Sequence, residues 1–184
     1  TLFPLDDSDI DTLIKHADVA MYRSKQSGRN EYHFYSEEMN SRAHERLEME
    51  TALHAALKNK EFHLHYQPMI DIASGQVAGV ETLLRWRNDK FPRIGPDKFV
   101  PVLEEMGLIG EVGEWVLLTA CRQMQVWQNN GLPSFRLAVN LSARQFRQKD
   151  IAERIGLVLQ QTGLAPNLLE LELTESLLMD HSEA

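Results

Sequence analysis

The 184 residues are 43% hydrophobic and 25% charged, enough for one domain with a real core, and the apolar runs are too short to cross a membrane. One cysteine, Cys121, excludes an internal disulfide framework and fits the cytoplasm, or the cytoplasmic part of a membrane-anchored parent, and no basic leader ending in small residues is present. A dispersed net charge of −8 excludes a long nucleic-acid polymer as partner, yet leaves open a small phosphorylated ligand held through a metal.

The chain opens on TLFPLDD without a Met and ends on MDHSEA directly after an apolar strand, so both ends read as cut from a longer protein. Residues 7–30 read as a helix capped by Asp9 or Asp11 and stopped by Gly28. EYHFY (31–35) reads as a short aromatic strand. Ser36, Glu37 and Glu38 start an amphipathic helix over 37–58 through Leu47, Leu53 and Leu57, and a domain boundary falls in or near it. From there strands alternate with helices. Strands are expected at 62–71, 77–86, 135–143 and 168–176, with a turn at Ser74-Gly75 and helices near 97–106, 111–131 and 149–162. That order indicates βα units and a parallel sheet.

Side chains alternate along a strand. Glu81, Leu83 and Arg85 therefore share one face of the second strand, opposite Val80, Thr82, Leu84 and Trp86. By the same count Asn140 lies on the face opposite Val139 and Leu141, Glu172 opposite Leu171 and Leu173, and Gln67 opposite Leu64 and Tyr66. Three successive strands thus carry Glu81, Asn140 and Glu172 on the face turned away from the helices, near their C-terminal ends. Two carboxylates and an amide oxygen suit Mg²⁺ or Mn²⁺ better than zinc. Arg85, one layer further out, is placed to hold a phosphate bidentately. A barrel interior with satisfied polar layers, including a Glu81–Arg85 ion pair, accounts for the same pattern.

YQP (66–68), ETLLRW (81–86), VNLSARQF (139–146) and ELTES (172–176), in this order and spacing, resemble the EAL-domain family of cyclic di-GMP phosphodiesterases. FVPVLEEMGLIGEVGEWVL (99–117) resembles its connecting segment, and the likeness covers about residues 47–184. The front of the chain, LFPLDD followed by ADVAMYRSKQSGRNEYHFY, resembles the end of a GGDEF, or diguanylate cyclase, domain. The resemblances imply residues 1–36 as the end of a GGDEF domain, 37–58 as a linker helix and 59–184 as the N-terminal half of an EAL domain. The implied fold is α/β, a partial (β/α)₈ TIM-like barrel comprising its first four strands.

The implied activity is metal-dependent hydrolysis of cyclic di-GMP to pGpG with Mg²⁺ or Mn²⁺. Glu81, Asn140 and Glu172 would be metal ligands, and Gln67, Leu83 and Arg85 would contact the dinucleotide. Glu81 and Glu175 would be the catalytic glutamates, Glu175 ordering a loop near the metals. The alternative is a catalytically degenerate module that acts as a cyclic di-GMP receptor. An upstream sensory domain and a homodimer through the EAL domain or linker helix fit the same family. Its later aspartate pair, lysine, glutamate and glutamine would lie beyond Ala184, so the chain alone is expected to be inactive.

Thr82 replaces the family's Ala on the helix side, where little effect on the chemistry is expected. Lys25 and Arg29 match GGDEF nucleotide contacts but read here as solvated helix-end charges. His63 and His65 share the Gln67 face and read as polar core histidines at the base of their strand. The three tryptophans read as packing residues, and Cys121 as a small buried hydrophobe.

Overall fold

A computed structural model describes residues 1–4, 6–26 and 31–173. The chain separates into two compact units, Thr1–Ala52 and Leu53–Ala184.

In the first unit, α1 spans Ile10–Gln26. Asp9 caps it: its carboxylate accepts from the backbone N–H of Thr12 at 2.9 Å and from the Thr12 hydroxyl at 2.8 Å. Gly28 and Arg29 lie outside the described residues, and Lys25 is exposed. The aromatic segment 31–35 is not a strand. A strand needs a ladder partner to satisfy its backbone, and the sheet described contains only later residues. Its rings pack instead, Tyr35 stacked on His16 with centroids 3.5 Å apart and Tyr32 edge-on to Phe34. Ser36 starts α2, Glu37–Ala56, which crosses the boundary between the units. Leu47, expected on its apolar stripe, is 61% exposed, whereas Leu53 and Ala56 are buried.

The second unit is a four-stranded sheet in the order β1-β2-β3-β4, with helices in the connections. β1 (Phe62–Ile70) and β2 (Val77–Trp86) are antiparallel, unlike a uniform βα series. The connection is too short for a crossover, which takes a dozen or more residues. It closes as a turn in which Asp71 accepts from the Ser74 N–H and hydroxyl and Gly75 adopts φ +70°. From β2 onward the expected parallel order holds. α3 (Pro96–Glu105) and α4 (Ile109–Asn129) connect β2 to β3 (Arg136–Leu141). The one-turn α5 (Ala143–Phe146) and α6 (Ile151–Thr162) then lead to β4 (Leu169–Leu173).

The core lies between the sheet and these helices. Val112, Val116, Ala120 and Met124 form the buried stripe of α4, as its helical spacing requires, and fully burying such a side chain contributes about 1.5–3 kcal/mol. Trp86, Phe62, Phe91 and Phe99 form an aromatic cluster under the C-terminal end of β2. Trp115 packs on Phe62, and Trp127 on Tyr66 and Phe135. Cys121 is fully buried, and burial pushes its thiol up to about 11, which leaves it no role as a nucleophile near neutral pH.

Candidate functional site

The register sets the site. Glu81 pairs across the sheet with Gln67 on one side and Ala138 on the other, and Asn140 pairs with Glu172. Directly paired residues share a face, so the helix-free face carries Gln67, Glu81 and Glu170 in one layer and Asn140 and Glu172 in the layer above. The Asn140 amide donates to Glu81 Oε1 at 2.9 Å, which leaves the amide oxygen free to ligate. Glu170 is paired below with Arg136, Nη1 to Oε2 at 3.4 Å. Glu172 has no cation beside it among the described residues. Partial burial, the carboxylate of Glu81 and then that of Glu170 push its carboxyl above the usual range.

That excess of negative charge is what a divalent cation would relieve. Among the described residues no group of three or more His, Cys, Asp or Glu is placed to hold a metal ion, and the donors Glu81, Glu172 and Asn140 would offer are two carboxylates and one amide. The set fits Mg²⁺ or Mn²⁺, hard cations that fill much of their coordination with water or phosphate oxygens. Glu175 lies outside the described residues.

Arg85 is half-buried, and its guanidinium donates to the backbone carbonyl of Leu84 at 2.9 Å. No ion pair joins it to Glu81 among the described residues, so the polar-layer account of this face loses its central contact. With His63, Arg87 and Arg93 it lines a cleft of about 570 Å³ that is rich in cationic and N–H donors. Leu83 lies between Glu81 and Arg85 on the same face.

His63 and His65 are not core residues at the base of the sheet. Because β1 runs antiparallel to β2, His63 lies opposite Arg85 and His65 opposite Leu83, at the C-terminal end of β2. His63 is half-buried, His65 is exposed, and their rings meet edge to face at 5.1 Å. Burial first, then the charges of His65, Arg87 and Arg85, hold His63 below its usual range, which favours the neutral ring at pH 7.

Two positioning elements escape a reading by strand faces. Glu61 accepts from Trp86 Nε1 and Asn88 Nδ2, each at 2.9 Å, and from Asn59 at 3.0 Å, tying the start of β1 to the end of β2. Burial pushes its carboxyl up, but hydrogen bonds from Asn88, Asn59 and Trp86 together outweigh this and leave it lowered. Ser142 and Gln145 form a capping box at the start of α5, immediately after the strand that carries Asn140. Its S-x-x-Q signature is legible in SARQ.

A mostly parallel sheet with helices in its connections defines a partial barrel of the TIM-like class. The chain belongs to the EAL domain family, whose model matches residues 50–184. It is 41% identical over 183 residues to the bifunctional diguanylate cyclase/cyclic di-GMP phosphodiesterase MucR of Pseudomonas aeruginosa, matching 100% of this chain and 27% of that protein. It is 39% identical over 182 residues to the cyclic di-GMP phosphodiesterase PdeR of Escherichia coli, matching 99% of this chain and 27% of that protein. The chain thus spans about a quarter of the length of these relatives. Among solved structures, the PaMucR phosphodiesterase in complex with c-di-GMP superposes with a TM-score of 0.69 at 40% identity, covering 74% of this chain and 55% of that one. The Xanthomonas citri FimX EAL domain in complex with c-di-GMP gives 0.63 at 25% identity, covering 77% and 55%.

Proposed function

We propose that the full-length protein hydrolyses cyclic di-GMP to pGpG with Mg²⁺ or Mn²⁺, and that Glu81, Asn140 and Glu172 hold the metal. The observation that carries this reading is the Glu81–Asn140 hydrogen bond beside Glu172, a carboxylate pair with no cation of its own among the described residues. A bound cation would supply Lewis-acid activation of water and neutralise charge on the scissile phosphate. The chain's own residues do the rest. Arg85 holds a phosphate oxygen and fixes the dinucleotide in line, with Arg87 and Arg93 of the same cleft drawing the anion in. Gln67, across from Glu81, and Leu83 line the floor on which the substrate lies.

The arrangement of the whole chain belongs to the same proposal: residues 1–36 end a GGDEF domain, 37–58 link, and 59–184 begin the EAL domain. A relative described as a bifunctional diguanylate cyclase and phosphodiesterase, matched along the whole chain, supports it. The test is steady-state turnover of cyclic di-GMP by the full-length protein. Activity is expected with Mg²⁺ or Mn²⁺, to be abolished by a chelator and by Glu81→Ala. Tight binding without turnover would make the protein a receptor instead.

A further inference from the structure

The sheet puts a titratable ring beside the phosphate clamp. In the β1–β2 ladder His63 lies directly opposite Arg85, and opposed residues of an antiparallel pair bring their Cβ atoms to about 4.5–5.5 Å on one face. Both side chains line the cleft of about 570 Å³ that Arg87 and Arg93 also wall. Arg85 commits one donor to the Leu84 carbonyl, which leaves most of its five-donor fork for a ligand. A phosphate held by that fork therefore comes within reach of the His63 ring.

The charges around the ring decide its state. On its own strand His63 meets His65, ring edge to face at 5.1 Å, and Glu61, whose carboxylate is taken up by Trp86, Asn88 and Asn59. From β2 and the loop after it come Arg85, Arg87, Asp89 and Arg93. Three guanidiniums against the one carboxylate of Asp89 make the cleft cationic among the described residues. Burial first, then His65, Arg87 and Arg85, hold the His63 ring below its usual range, against a hydrogen bond to the Glu61 backbone. An anion reverses the balance, because an opposite charge within about 4–6 Å favours the protonated imidazole.

We infer that His63 takes a proton from solvent as a phosphate of the substrate docks on Arg85, and becomes a second charged donor to it; the inference rests on the proposed function. Imidazole suits the part, since its charge changes between pH 5 and 8 and small changes in surroundings carry it across neutrality. Neutral His63 spares the free protein a further positive charge in the cleft. Charged His63 adds a charge-assisted hydrogen bond once the anion is in place. Binding thus raises the pKa of the ring. Affinity is greatest below the value in the free protein and falls as pH rises through the value in the complex.

The test is calorimetry of cyclic di-GMP binding to the full-length protein in a chelator, which stops turnover, run in buffers of different ionisation enthalpy. The wild type is expected to take up part of a proton per ligand bound at pH 7, and to bind about threefold or more weakly at pH 8 than at pH 6. His63→Gln keeps a polar side chain that cannot be charged. It should lose the uptake and bind no better at pH 6 than at pH 8, and its difference from wild type separates the ring from the carboxylates of the metal site. His63→Arg is charged at every pH and should bind at pH 8 at least as tightly as the wild type, again without uptake. His65→Gln should keep both the uptake and the pH slope. A side chain that only shaped the cleft would weaken binding equally at every pH. Binding without proton uptake by the wild type, uptake undiminished in His63→Gln, or uptake lost only in His65→Gln overturns the inference and leaves the phosphodiesterase reading intact. A wild type that does not bind cyclic di-GMP overturns both.

Discussion

Ionised Glu172 faces the carboxylate of Glu81 with no cation beside it among the described residues, and its folded-state pKa is raised. A raised carboxyl favours the protonated form in the folded state, so above that pKa its ionisation works against folding. Glu172→Gln in the full-length, metal-free protein should therefore raise the melting temperature slightly at pH 7. The advantage should vanish as pH falls below the unfolded value of 4.5. The same variant should bind Mn²⁺ about tenfold or more weakly, since a ligand is gone. Arg85 makes a different demand. Its planar fork matches a phosphate bidentately and an ammonium does not, so Arg85→Lys should weaken cyclic di-GMP binding about tenfold or more with little change in melting temperature. Glu81, Asn140 and Glu172 were legible as a set because a two-residue period assigns them one face before any register is known. His63 was misplaced because the same period says nothing about strand direction, and only the antiparallel register puts it beside Arg85.

At the scale of elements, Glu61 is the clamp between β1 and β2. Removing it leaves the Trp86 N–H, on a side chain only 5% exposed, without its acceptor. Glu61→Ala should cost about 1–3 kcal/mol of stability, read by denaturant unfolding of the full-length protein. Its folded pKa is lowered, so the stabilisation is fully present above 4.5 and is lost as pH falls through the lower folded value. The melting temperature of the wild type should therefore fall more steeply with acid below pH 4.5 than that of Glu61→Ala. Long elements with strong periodicity, α4 and β2 among them, were readable to within a residue or two because burial imposes the pattern. The aromatic segment 31–35 has the composition of a strand but not its setting, since a strand is made by its neighbour and composition carries no record of one. The one-turn α5 is too short to show a period, and only its capping box marks it.

At the scale of the molecule, β1 and β4 are the edges of the described sheet. Leu171 and Leu173 of β4 are 37% and 46% exposed, an uncovered apolar row on an edge strand. A closed barrel removes both edges, and the present residues supply only part of a metal's coordination. The 184-residue chain expressed alone should show no turnover of cyclic di-GMP under conditions in which the full-length protein is active, and measurable turnover by the chain would contradict this. The fold class and the family were readable from four motifs in order. The cleft around Arg85 was not, because its His63 wall depends on the direction of β1. The central claim is that Glu81, Asn140 and Glu172 form one divalent-cation site, and Mn²⁺ titration of the full-length protein tests it most directly. The account predicts that Asn140→Ala, which keeps both carboxylates, lowers Mn²⁺ affinity about tenfold or more and lowers turnover with it. Unchanged Mn²⁺ affinity in Asn140→Ala would contradict it.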